Sequence, residues 1–253
     1  LNYTTILFNR YTYAKYSGKG FTCNYCHHQY EKFIPRYPSS IDEVALEKHQ
    51  VIAGNGPNVY CPFCGSTSRE RLILLKLEEK VNVGNIKILH LSPEDKVFKK
   101  LQRVADVTTA DVEPGFYKLL DKNIIEADAR ALPFPDESFD LVIANHVIEH
   151  IPEDIVAMQE VFRILKKGGR AIVQVPFSET ISSTIEEPSI KDPTRQSQLF
   201  GQKDHVRIYS LKDYLKRLTN AGFQVEYETI DLNSWKKYAL QEGEGFINCI
   251  KSE

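Results

Sequence analysis

The chain has 253 residues, 42% hydrophobic and 26% charged, with a formal charge of −2. That is the composition of a soluble globular protein with room for one ordinary domain and a small one. No apolar run approaches the ~20 residues that a membrane helix needs. The near-neutral balance disfavours a large nucleic-acid surface, and the first 85 residues, with 10 Lys/Arg against 7 Asp/Glu, hide no basic face.

The first stretch, LNYTTILFNRYTYAKYSGKG, is aromatic and polar and lacks the apolar core of a signal peptide. Its leading Leu points to a missing initiator Met. Two C-x-x-C pairs follow, Cys23/Cys26 and Cys61/Cys64, with 34 residues between them. Each spacing suits a knuckle turn that aims two thiolates at one ion. Four thiolates at a tetrahedral site select Zn²⁺ and leave no position for a reacting water, so a structural zinc is expected. Four cysteines committed to metal, with Cys249 as a buried thiol, point to a reducing compartment, the cytoplasm. Residues 1–67 are expected to be a largely irregular zinc-binding module. Within it, YPSSIDEVALEKH forms a short helix capped by Ser39 or Ser40, and AGNGPN makes a turn into the second knuckle. A helix at 68–81, entered through a Ser cap, carries Leu72, Leu75 and Leu77 on one stripe and spans a connecting segment, 68–85.

From residue 86 to 253, short apolar strands alternate with amphipathic helices, the pattern of a parallel sheet covered on both faces. The predicted strands are 86–91, 105–112, 123–128, 139–145 and 170–176. A helix over 151–169 starts with Pro and acids and ends in Lys-Lys-Gly-Gly. A polar stretch to about 208, the helix LKDYLKRLTNAG, and two terminal strands suited to an antiparallel edge hairpin complete the chain.

The segment DARALPFPDESFDLVIANHVIEHIPE (128–153), followed by RILKKGGRAIVQVP, resembles the S-adenosylmethionine (SAM)-dependent methyltransferases of the Rossmann-like class, and within these the small-molecule type 11 group. The resemblance implies an α/β fold: a Rossmann-like seven-stranded methyltransferase sheet carrying a small N-terminal zinc-binding domain. It also implies that Asp128, at the end of the third strand, accepts the adenine amino group, with Ala129 offering its backbone N–H to the ring. Asn145 is implied at the methionine end of SAM, beside the reacting methyl. Asp111 lies 20 residues past Leu91, the spacing at which an acid binds ribose hydroxyls in dinucleotide folds; a strand-end turn acid is the plainer reading. The first loop departs from the family. It reads HLSPEDKVFKKL, without the usual Gly-x-Gly. Either Ser92-Pro93-Glu94 makes a different tight turn, with the Leu91 carbonyl, Ser92 and Glu94 contacting the methionine amine, or the pocket has lost its cofactor.

His146, Glu149 and His150 spell H-x-x-E-H, an inverted zinc-peptidase sequence. That motif needs both histidines one turn apart on a helix, whereas here a strand precedes and Pro152 follows. The resemblance places an apolar-Glu-His element at this location without metal, and His150 reads as structural.

FGQKDHVRIYS (200–210) gathers Gln202, Asp204, His205, Arg207 and Tyr209. It resembles a bacterial methyltransferase group with an F-G-Q-x-D-H-V-R signature and a cysteine-bearing N-terminal region, associated with cell-surface glycan pathways. The expected acceptor is a sugar, nucleotide-linked or phosphorylated small molecule, methylated on oxygen. His205, oriented by Asp204, is a candidate general base, and Arg207, with Arg195 or Lys203, a candidate anion partner. The alternative reading of the cluster is a lid closed by internal salt bridges. Two other functions stay open: an rRNA methyltransferase gripping RNA through a zinc module rich in aromatics (Tyr11, Tyr13, Tyr16, Phe21, Tyr25, Tyr30), and a non-catalytic zinc adaptor. The N-P-P-Y/F tetrapeptide of base amino methylases is absent; N-H-V-I stands there.

Overall fold

The computed structural model describes residues 3–252. They divide into two compact units. A cysteine unit takes the chain up to Pro38, Gly54–Asn82 and Thr229–Phe246; a sheet unit takes Ser39–Ala53, Val83–Glu228 and the chain from Ile247. The division differs from the linear one expected at 67 and 86. The insertion between the cysteine pairs belongs to the sheet unit, and a late segment belongs to the cysteine unit.

The cysteine unit opens with α1 (Tyr3–Tyr13) where irregular chain was expected. Its aromatic and β-branched residues are weak helix formers, and no acid marks its first turn. Strand β1 (Ser17–Thr22) pairs antiparallel with β2 (Gln29–Tyr30), and β3 (Ile34–Arg36) with β4 (Gly56–Tyr60). Helix α2 (Ser40–Lys48) lies between β3 and β4 in sequence and is capped by Ser39, whose side chain accepts from the Asp42 N–H. Helix α3 (Ser68–Lys80) is buried along most of its length. Its cap is Thr67, one residue before the expected Ser, because Thr67 and Glu70 close a reciprocal capping box.

In the sheet unit the strands are β5 (Lys87–Leu91), β6 (Asp106–Asp111), β7 (Ile125–Glu126), β8 (Phe139–Ala144) and β9 (Leu165–Ile172), with β13 (Gln224–Thr229) and β14 (Gly245–Ile250) near the end of the chain. They lie in the order β13-β14-β9-β8-β5-β6-β7. The pairs from β9 to β7 are parallel, and β14 runs antiparallel to β9. From β5 the chain proceeds to β6 and β7 on one side, then to β8 and β9 on the other. The β5/β8 junction is therefore the switch point outside whose carboxyl ends ligands bind. Leu141, Val142, Ile143, Ala144, Ile88 and Leu89 are fully buried, as a doubly covered sheet requires. Each such leucine, isoleucine or valine stabilises the fold by ~1.5–3 kcal/mol relative to exposure.

Three boundaries differ from expectation. The helix predicted over 151–169 is α5 (Asp154–Ile164), and β9 begins at Leu165 and runs through the Lys-Lys-Gly-Gly segment. The glycines find backbone partners in the terminal strand region: Gly168 N–H donates to the Lys251 carbonyl, and Lys251 N–H to that of Gly169. The third strand is only two residues long. The terminal strands are not a tight hairpin, since α8 (Leu232–Tyr238) intervenes and β14 enters the sheet between β13 and β9.

The stretch after β9 is folded, with Arg207 and Arg217 paired internally to Glu186. A small sheet of β10 (Phe177–Ser178), β11 (Ile185–Glu186) and β12 (Arg207–Ser210) has β12 at its centre. Helices α4 (Asp95–Leu101), α6 (Pro193–Phe200) and α7 (Leu211–Asn220) complete the unit. Ala45 of α2 packs with Ile190, Phe200 and Ile208, and Ile52 bridges to Phe177. Gly201 ends α6 at φ +77, and a Cβ there would lie 2.5 Å from the Leu46 side chain. The glycine of the F-G-Q signature thus lets α6 close onto α2.

Candidate functional site

The cysteine knuckles repeat one hydrogen-bond pattern. Cys23 N–H donates to the His28 carbonyl and His27 N–H to that of Cys23; Cys61 N–H donates to the Ser66 carbonyl and Gly65 N–H to that of Cys61. The turn needs a left-handed residue, supplied by Gly65 (φ 75) and by His27 (φ 60). No disulfide forms, and the four sulfurs lie within 4.8 Å of one another, with Cys23–Cys64 at 3.6 Å and Cys26–Cys61 at 3.7 Å. A tetrahedron with metal–sulfur bonds of ~2.3 Å has edges of about 3.8 Å, so the set fits one four-coordinate ion.

Behind it lies Arg71, which the sequence analysis passed over. It is fully buried, and its five N–H groups donate to the carbonyls of Tyr238, Val59, Ser66, Asn58 and Ala239. Its guanidinium also faces the Phe33 ring at 4.7 Å. Tyr13, Tyr16, Phe21, Tyr25 and Tyr30 pack into the core around the cysteines, while Tyr11 stays exposed. Most of the aromatics that an RNA-stacking surface would present are therefore engaged internally.

In the sheet unit a cleft of about 480 Å³ lies beyond the carboxyl ends of β5 and β6. It collects Leu91, Ser92, Asp111, Asp128 and Ala129 from the expected cofactor set, with Arg130, His146, His150 and Asp204. The first turn is made without glycine: Ser92 adopts φ +47, its N–H donates to the Ala110 carbonyl, and its Oγ donates to Asp111 Oδ2 at 2.6 Å. A serine here mimics the glycine turn and ties it to the neighbouring strand. Asp111 also accepts from the Glu113 N–H.

Asp128 is held by Arg130, whose Nε lies 3.0 Å from both carboxylate oxygens and whose Nη2 lies 2.6 Å from Oδ2. These bonds keep the Asp128 carboxyl below its ordinary range. Arg130 reaches Glu153 as well. Glu94 and Asn145 do not line the cleft. Asn145 is buried and its Nδ2 donates to Glu94, which is joined to His90 Nε2 at 2.7 Å.

The 200–210 signature divides. Arg207 is 2% exposed and donates to the carbonyls of Ile148, Ile151 and Pro152 and to Glu186. Its expected pairing with a substrate anion does not fit a guanidinium so enclosed. Tyr209 Oη and Arg217 both donate to Asp154 Oδ2 at 2.7 Å, extending this internal network. The expected Asp204–His205 dyad does not form either: the Asp204 side chain accepts from Gln202, and its carbonyl faces His150 Nδ1 at 3.1 Å. His205 is buried, packed edge-on to the His150 ring, with Nε2 3.9 Å from Glu149 Oε1. Burial pushes its pKa down to about 4, against the pull of Glu149. Glu149 is itself 1% exposed; burial favours its neutral form, yet His146, His150 and His205 hold it at about 2. His146 sits at φ +57 and residues 148–150 form a 3₁₀ turn, so H-x-x-E-H does not present two histidines on one helical face.

The fold is that of the class I, SAM-dependent methyltransferases, and residues 93–173 match a family described as "Methyltransferase domain". The matched stretch lies inside the sheet unit and runs from the turn after β5 through β9. The chain is 29% identical over 139 residues to the ubiquinone/menaquinone biosynthesis C-methyltransferase UbiE of Yersinia pestis (strain Pestoides F), an alignment covering 48% of this chain and 55% of that protein. The chain spans about half the length of the curated relatives it matches. Among solved structures, an S-adenosylmethionine-dependent methyltransferase from Mesorhizobium loti aligns with TM-score 0.51 at 17% identity, covering 72% of this chain and 96% of that one. The [4+2]-cyclase SpnF aligns equally well, TM-score 0.51 at 19% identity over 72% and 81% of the two chains. At such identities the likeness concerns the fold alone. Among the described residues, no helix is long and apolar enough to cross a membrane.

Proposed function

We propose that this protein transfers the methyl group of SAM to a hydroxyl of a small molecule, and that Cys23, Cys26, Cys61 and Cys64 hold a structural zinc. The observation that carries the first reading is the convergence of Leu91, Ser92, Asp111, Asp128 and Ala129 on one cleft at the switch point of the sheet. In this reading Asp111 binds the ribose hydroxyls, Asp128 and the Ala129 N–H bind adenine, and the Leu91 carbonyl and Ser92 take the methionine amine. Glu94 and Asn145 support the methionine end from behind. Because Arg130 occupies both oxygens of Asp128, adenine binding requires that guanidinium to move aside.

SAM supplies an already activated methyl, so the chain's main task is alignment of the acceptor. A hydroxyl acceptor must also lose its proton. His205, neutral and held near 4, is weakly basic for that step at neutral pH. His146 and His150 are the imidazoles that line the cleft. An anionic acceptor would draw on Arg130 in the cleft or on exposed Lys203 and Arg195, since Arg207 is engaged elsewhere. A sugar, nucleotide-linked or phosphorylated precursor of a surface glycan meets these demands; the relatives' names instead speak of carbon methylation.

Calorimetric titration of the metal-loaded protein with S-adenosylhomocysteine tests the cofactor reading, and no binding by folded protein would sink it. Labelled SAM offered with nucleotide-activated sugars, phosphorylated glycan precursors and a quinone precursor then tests the acceptor; label on the quinone alone would overturn the hydroxyl assignment.

A further inference from the structure

A carboxylate shut away from water needs hydrogen bonds, a cation or a metal. Glu149 is 1% exposed, and neither of its oxygens meets hydrogen-bond geometry. Around it stand His146 Nδ1 at 3.3 Å and His205 Nε2 at 3.9 Å. One ligand atom from each of Glu149, His150 and His205 falls within 4.8 Å of the others. We propose that Glu149, His150 and His205 form a second metal centre in this protein, taking one first-row divalent ion at the floor of the cleft.

The arrangement is built in advance. The 3₁₀ turn at Ile148–His150 places Glu149 and His150 side by side. The loop bearing His205 is fastened to that turn twice, by the Val206 N–H on the Glu149 carbonyl and by His150 Nδ1 against the Asp204 carbonyl at 3.1 Å. A carbonyl can only accept, so Nδ1 is the donor to it and Nε2 is the nitrogen left for a metal. This is the tautomer a metal needs, oriented by an outer-sphere oxygen as metal-bound histidines are.

Two imidazoles and one carboxylate suit Mn²⁺, Fe²⁺, Co²⁺ or Zn²⁺ and leave coordination positions free, whereas Ca²⁺ and Mg²⁺ favour all-oxygen shells. Of the three ligands, His150 lines the cleft, so an ion held there would be reached from it. An acceptor hydroxyl bound there becomes more acidic. Its proton leaves to solvent; the oxygen then bonds to the methyl carbon as the carbon–sulfur bond breaks, with that electron pair remaining on sulfur. This catalytic role rests on the methyltransferase reading; the binding of the ion does not.

The test uses the full chain with its cysteine site loaded and its zinc content measured. Mn²⁺ is titrated in while electron paramagnetic resonance follows the free ion, and Co²⁺ is titrated in parallel by visible absorption. One equivalent of Mn²⁺ is expected, and Co²⁺ should give nitrogen/oxygen ligand-field bands without sulfur charge transfer. Glu149→Gln, which keeps the volume, and His150→Ala, at a partly exposed position, should each weaken uptake by ~100-fold or more. Absence of uptake by the unaltered protein, or uptake undiminished in both variants, overturns the centre. Uptake with no S-adenosylhomocysteine binding leaves the centre standing and removes the cofactor reading; the reverse result removes the centre alone.

Discussion

In the sheet unit β5 and β8 are buried in aliphatic side chains, whereas the cysteine unit has four thiols, an arginine and a ring of tyrosines at its centre. The first kind of core distributes its stabilisation over many contacts of similar size. The second concentrates it in a few polar bonds of fixed geometry. The contrast teaches where each unit is vulnerable: a methylene removed from the sheet leaves a cavity, but a single ligand removed from the cysteine unit takes its organising centre.

On the proposed zinc reading, the largest expected effect comes from metal removal. A strong chelator, or Cys61→Ser, should unfold the cysteine unit, since structural zinc contributes ~10–16 kcal/mol in small zinc modules. Hydrogen exchange should show amides of β1 to β4 losing protection while β5 and β8 keep theirs; unchanged protection in β1 to β4 would break the comparison. Next in size is Arg71→Met. It removes the five donors that serve the carbonyls around Arg71 and should cost ~3–5 kcal/mol in denaturant unfolding, at least as much as Leu89→Ala at ~2–5 kcal/mol. Arg71→Lys should not rescue it, because lysine has three donors and no planar fork.

The units should also respond oppositely to pH. Burial pushes Glu244, in the cysteine unit, up to about 7. A carboxyl raised in this way stabilises the fold fully below its unfolded value of ~4.5, and that contribution is lost as pH rises through 7. In the sheet unit, Arg217 holds Glu186 and Arg163 holds Glu160 below the ordinary range, so their contributions are present above ~4.5 and vanish in acid. Glu244→Gln should thus abolish the loss between pH 4.5 and 7 in the cysteine unit and add up to ~3 kcal/mol above it. Equal pH slopes for the variant and the unaltered protein would contradict this. The smallest effect is expected from Ser92→Gly. Relief of a left-handed serine, worth ~1 kcal/mol, is offset by loss of the bond to Asp111, so stability should move by less than ~1 kcal/mol. Calorimetry of S-adenosylhomocysteine on that variant then reads what the Ser92–Asp111 contact does for the cofactor site.

Much of the sheet unit was legible because apolar runs such as FDLVIA and KILHL sit between turn residues, and a doubly covered strand must be apolar throughout. The Lys-Lys-Gly-Gly segment misled because its helix-ending composition serves equally in a strand when a distant strand offers partners at Lys251. At the candidate site, Asp111, Asp128 and Ser92 were found from their positions at strand ends. Arg207 was misjudged because exposed and enclosed arginines look alike in a sequence. Arg71 was invisible for the same reason, on a helix whose polar face reads as solvated.

The pairing of cysteines two by two, and the alternation of strands and helices from residue 86, were settled by local chemistry. Thiol spacing selects a turn, and side-chain periodicity selects the element that can bury it. Tertiary structure alone decided that residues 39–53 join the sheet unit and that Arg207 is enclosed by the carbonyls of Ile148, Ile151 and Pro152. It likewise decided that Glu149, His150 and His205 meet although 54 positions separate the last two. Such encounters depend on how remote segments pack, and no short-range pattern in the chain encodes them.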